Sequence, residues 1–130
     1  MDVDGLAAVP LLRTLPRARL ESLAGQLPSR GVPAGQVVAR AGDPATHLVI
    51  VERGSLSAAR DTADGTRVQF GSVAGPCTLD KAATLDEAVH TATWTATTAC
   101  QVRLLPVQLL RQLMGEHAAL RDPRVPLPVR

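Results

Sequence analysis

Residues 31 to 106 predict a mainly β domain, a sandwich or barrel, with a helix on each flank. Three observations carry this. Short β-branched runs alternate with turn residues through the whole segment. Leucines at helical spacing precede it and follow it. One alanine-rich, charged stretch, residues 80 to 89, interrupts the strand pattern.

The elements follow in chain order. Leu12, Leu15, Leu20, Leu23 and Leu27 lie roughly along one face of a helix over residues 11–27, capped near Thr14-Leu15-Pro16 and ended by Pro28 and Gly31. Strands are expected at 36–40, 47–51, 56–60, 67–73, 91–98 and 101–105. Gly42, Gly54 and Gly65 fall between apolar runs, where tight reversals call for positive φ. The 80–89 stretch reads as a short helix plus loop. Leu109, Leu110, Leu113 and Met114 give a terminal helix over 107–120 its apolar face. Three prolines among residues 122–130 predict an extended or disordered tail, whose Arg124 and Arg130, with Arg121 before them, read as solvated. The expected organisation is a lead-in at 1–9, a domain at 10–121 and the tail at 122–130.

Composition narrows the function. The chain has 130 residues, 45% of them hydrophobic and 20% charged, which is globular. One Trp, one Phe and no Tyr exclude an aromatic stacking platform for single-stranded nucleic acid. A net charge of +2 does not mark a nucleic-acid binder. No apolar run is long enough to span a bilayer. The acidic start, Met1-Asp2-Val3-Asp4, is unlike a secretory signal, so a cytoplasmic protein is expected. Cys77 and Cys100 give neither a disulfide framework nor a CxxC pair.

The order helix, β-roll, embedded short helix, two strands, terminal helix resembles the cyclic nucleotide-binding domain of the catabolite-activator (Crp/Fnr-like) family. Leu12, Leu15, Leu20 and Leu23 resemble its leading helix, and residues 32–38 the approach to its first strand. Ala41-Gly42-Asp43-Pro44 resembles its Gly-Asp turn. Leu48 to Leu56 resembles its hydrophobic strand, glycine turn and return strand. His90 to Ala96 resembles the strand after its phosphate-binding cassette, and Cys100 to Pro106 its last strand. The match covers about residues 10 to 120. It implies a β-roll or jelly-roll with an N-terminal helix, a short cassette helix and a short C-terminal helix.

The resemblance also implies a ligand site, a cassette over residues 75–94. In the family a short helix turns its N-terminal amides to a cyclic phosphate, an Arg forks onto the phosphate oxygens, and a Glu accepts from a ribose hydroxyl. The family pattern is Gly-Glu early in the cassette and Arg-Ser or Arg-Thr at its end. This sequence departs at both places: Leu79-Asp80 stands at the first and His90-Thr91 at the second. The implied ligand residues are Leu79, Asp80, Lys81, Ala82, His90 and Thr91, with Trp94 and Cys77 lining the pocket. Trp94 also reads as core. A histidine makes one hydrogen bond where arginine makes a fork, so cyclic AMP or cyclic GMP is expected to bind roughly ten- to several hundred-fold more weakly.

The function so implied is a non-enzymatic regulatory module. It takes a small nucleotide or anion in the cassette and signals to a protein partner through the terminal helix. The alternative is a degenerate roll serving only as a protein-interaction module. Two further readings have less behind them. A haem sensor would use Cys77 and His90, but no Cys-x-His is present. A cupin-type metalloenzyme would need His-x-His, and His47, His90 and His117 are isolated. No dimer helix or helix-turn-helix follows residue 120, so direct DNA binding is not expected.

Overall fold

A computed structural model describes residues 3–86 and 88–117. The element order is α1 (Val3–Ala7), α2 (Arg17–Gln26), β1 (Arg30–Val32), β2 (Val37–Ala39), β3 (His47–Arg53), β4 (Ser55–Asp61), β5 (Arg67–Ala74), β6 (Cys77–Leu79), α3 (Lys81–Leu85), β7 (Thr93–Ala96), β8 (Cys100–Pro106) and α4 (Val107–Glu116). The strands form two four-stranded antiparallel sheets, ordered β1-β8-β3-β6 and β2-β7-β4-β5. This is the mainly β roll with flanking helices that the sequence predicts.

Period-two alternation in β3 divides the molecule. Leu48 and Ile50 face the helices, in one core with Leu6, Leu12, Leu23, Leu105, Leu110 and Leu113. Val49 and Val51 face the roll interior, in a second core with Val32, Leu56, Leu79, Ala96 and Val102. The sheet carrying β3 is therefore a wall shared by two cores.

The N-terminal region differs from expectation. The helix does not run from 11 to 27; it begins at Arg17, after Pro16, whose ψ of 148° is not helical. A residue before proline is pushed out of the α region, which stops a continuous helix at Leu15. Residues 8–15 fold as successive turns instead, with Leu12 N–H donating to Val9 O (2.9 Å) and Leu15 N–H to Leu12 O (3.0 Å). The cap is Pro16, not Thr14 or Leu15, and makes no side-chain cap bond. The leucines are still buried, so the apolar spacing serves a packed coil. Residues 3–9, read as a lead-in, supply Leu6 and Val9 to the helix-side core.

Two strands are new relative to the sequence reading, β1 and β6, each three residues long. The strand expected over 91–98 is confined to Thr93–Ala96. The terminal helix is formed through Glu116; residues 118–120 and the proline-rich tail lie outside the described residues. The three glycine turns hold: Gly42, Gly54 and Gly65 have φ of 90°, 104° and 86°. Gly54 has a second constraint. A Cβ there would sit 2.5 Å from Cys100 Sγ and 2.7 Å from Ala99 O.

Candidate functional site

The region predicted as a cassette is built from β6, α3, the segment 88–92 and β7. Asp80 is its pivot. It follows β6, takes the left-handed conformation (φ 55°, ψ 43°) and occupies the N-cap position of α3. That backbone costs a non-glycine residue about 1–2 kcal/mol, and aspartate tolerates it better than most. An N-cap aspartate usually accepts from amides of the first helical turn, but this side chain makes no cap bond. The backbone carbonyl of Asp80 holds α3 instead, accepting from Thr84 N–H and Thr84 Oγ1–H, both at 3.0 Å.

The carboxylate is thereby free to turn sideways, and one oxygen, Oδ2, meets two donors. His90 Nδ1 is 2.9 Å away and Trp94 Nε1 3.2 Å. An ionised carboxylate only accepts, so Nδ1 carries the ring proton. The His90 and Asp80 side chains are 8% and 11% exposed, so these bonds form away from bulk water. His90 is held through its backbone too. Its N–H donates to Asp43 O and its carbonyl accepts from Gly42 N–H, both at 2.9 Å. Ala45 N–H donates to Ala88 O at 2.9 Å, and Pro44 and Val89 form an isolated antiparallel bridge. The turn at 41–45 thus anchors the end of the cassette. Its beginning is anchored from α4, where Arg111 Nη2 donates to the carbonyl of Leu85 at the end of α3.

The other predicted residues are placed differently. Lys81 and Ala82 form the first turn of the five-residue α3, half-buried and exposed respectively. Thr91 is exposed beside His90. Leu79 is 2% exposed and belongs to the roll core. Cys77 is half-buried against that same core. Burial pushes its thiol up, and the nearby Cys100 adds to this. Burial also pushes the Cys100 thiol up, against bonds to Ser55 and Thr98 that lower it. Both cysteines therefore disfavour the thiolate needed for nucleophilic or metal chemistry. Among the described residues no three His, Cys, Asp or Glu side chains are grouped to hold a metal.

The structure joins Asp80, His90 and Trp94 and leaves Lys81, Ala82 and Thr91 outside that set. The sequence reading placed Asp80 and His90 in one cassette but not in contact with each other. It missed Arg111, for which the helical pattern of α4 gives no signal. It also missed the pairing of 88–90 with 42–45, for which Gly42 and Pro44 are the only local hint.

A family profile described as the cyclic nucleotide-binding domain matches residues 29–117. The chain belongs to that family. No match was found among curated proteins. Solved structures resemble it at low identity and agree on the fold. A Silicibacter pomeroyi protein described as a cAMP-binding regulator is 20% identical, with a TM-score of 0.76, covering 96% of this chain and 56% of its own. The sensor domain of the transcriptional regulator DNR from Pseudomonas aeruginosa is 19% identical, with a TM-score of 0.78 and coverages of 91% and 79%. The regulatory subunit of a cAMP-independent protein kinase A from Trypanosoma brucei, a mutant bound to cAMP in its A site, is 20% identical, with a TM-score of 0.80 and coverages of 97% and 47%. The chain spans little more than half the length of the Silicibacter protein. No helix among the described residues is long and apolar enough to cross a membrane.

Proposed function

We propose that this chain is a non-enzymatic regulatory module whose cassette is closed on itself, and that it acts through protein contact rather than by taking cyclic nucleotide in the family's manner. One observation carries this reading: Asp80 Oδ2 already accepts from His90 and Trp94. The acid that would receive a ribose hydroxyl is occupied by the residue that replaces the phosphate-binding arginine. Opening the site for a nucleotide would break two part-buried hydrogen bonds. It would gain no arginine fork in return. The contact from Arg111 to Leu85 supports a cassette held shut from α4.

Calorimetric titration with cyclic AMP and cyclic GMP tests this. The expected isotherms are flat at high protein concentration. A saturable isotherm with micromolar affinity overturns the closed cassette and reinstates a nucleotide sensor.

A further inference from the structure

We propose that the cleft between β2 and the head of β3 binds a small zwitterion of the amino-acid class with a short branched apolar side chain. This cleft shares His90 with the cassette, and the proposal rests on the His90–Asp80 contact of the reading above.

The cleft has a volume of about 210 Å³. Nucleotide- and drug-sized ligands occupy pockets of about 300–1,000 Å³, so the occupant is smaller than a nucleotide. Its apolar lining is Val38, Val49 and Leu104. Val49 and Leu104 are direct partners across β3 and β8 and belong to the roll interior. The cleft is therefore an opening into the apolar inside of the roll, suited to an aliphatic side chain.

Its polar lining carries both signs of charge. Arg40 and Asp43 lie at the two ends of one turn, with Asp43 N–H donating to Arg40 O at 3.1 Å. Among the described residues neither side chain has a hydrogen bond or ion pair. A guanidinium takes a carboxylate as a two-bond fork, and a carboxylate takes an ammonium.

The third polar group is His90, which also lines the cleft. The residue is 7% exposed, and its Nδ1 proton is committed to Asp80. Its second nitrogen, Nε2, has no partner among the described residues. In the neutral Nδ1–H tautomer, Nε2 is a lone-pair acceptor and matches an ammonium donor. A lone carboxylate would engage Arg40 alone, and a lone amine would engage only Asp43 and Nε2. A zwitterion answers all three.

The test is an NMR titration of the ¹⁵N-labelled full chain with L-valine, with isovalerate (no ammonium) and with isobutylamine (no carboxylate). Valine is expected to shift the amides of Val38, Arg40, Asp43, Val49 and His90 saturably. The two analogues are expected to bind about tenfold more weakly or worse, as are Arg40→Gln and Asp43→Asn with valine. Both substituted residues are exposed, and retained spectral dispersion shows that the variants fold. The proposal is overturned by any of three results: no saturable shift at millimolar valine, isovalerate or isobutylamine matching valine, or variants binding like the parent. None of these changes the expected cyclic nucleotide isotherms, so the two readings fail separately.

Discussion

Asp80 brings two half-buried or buried donors to one oxygen, and each would be left unmet without it. Asp80→Ala strands His90 Nδ1 and Trp94 Nε1 in a region largely shut to water. It is expected to cost on the order of 2 kcal/mol or more in urea unfolding. Asp80→Asn, whose carboxamide oxygen still accepts, recovers part of that loss. An alanine variant within about 0.5 kcal/mol of the parent, the range of an ordinary surface change, contradicts the role given to Asp80. Asp64 lies in the exposed β4–β5 turn and receives Thr62 Oγ1–H and, at 3.0 Å, Thr66 N–H. These bonds, that from Thr62 first, lower its pKa from 3.8 to about 2. The folded value is depressed, so the contribution to the turn is complete above pH 3.8 and is lost as pH falls through about 2. Carboxyl titration by NMR checks this; a midpoint near 3.8 contradicts the bonding.

At the scale of elements, α2 is fastened to the roll by one buried arginine. Arg103 of β8 donates through Nε to Glu52 Oε1 at 3.1 Å and through Nη1 to Ala24 O at 3.2 Å and to Leu27 O. The Arg103 and Glu52 side chains are each 5% exposed. Glu52 Oε2 is buried without a partner, so the acid depends on Arg103 for its compensating charge. Arg103→Met is expected to cost about 3–5 kcal/mol by chemical denaturation, because it leaves a buried carboxylate with no cation and only the exposed Ser29 hydroxyl, 3.3 Å from Oε1. Adding Glu52→Leu should restore most of the loss, since an apolar pair of similar volume often replaces a buried ion pair without penalty. A single variant as stable as the parent contradicts the fastening. This contact was not legible in the sequence, because Arg103 and Ala24 are 79 residues apart and nothing local marks them as partners. Strands long enough to show alternation were legible, as were the turns at Gly42, Gly54 and Gly65. The three-residue β1 and β6 are too short to show a period. The leucine spacing at 11–15 reported burial correctly but not helix, because Pro16 imposes a backbone rule that periodicity ignores. The candidate site was half legible. Asp80 and His90 could be placed in one cassette by resemblance, while Trp94 stayed open between core and pocket until its indole N–H was located on Asp80.

Across the whole molecule, the sheet carrying β3 and β8 stands between a helix-side core and a roll-side core. Polar contacts tie the helices to that wall, to α3 and to one another. Arg103 reaches from the wall to the end of α2, Arg111 reaches from α4 to the end of α3, and Arg19 of α2 lies 3.3 Å from Glu116 of α4. The helices and the cassette are thus one connected set. The closure proposed for the cassette is made by Asp80, His90 and Trp94. Calorimetry comparing the parent with the double variant His90→Arg, Trp94→Val tests it most directly. A flat cyclic AMP isotherm is expected for the parent and saturable binding for the variant, which removes both of these donors from Asp80 and restores the forked cation. Micromolar binding by the parent, unchanged in the variant, would contradict it.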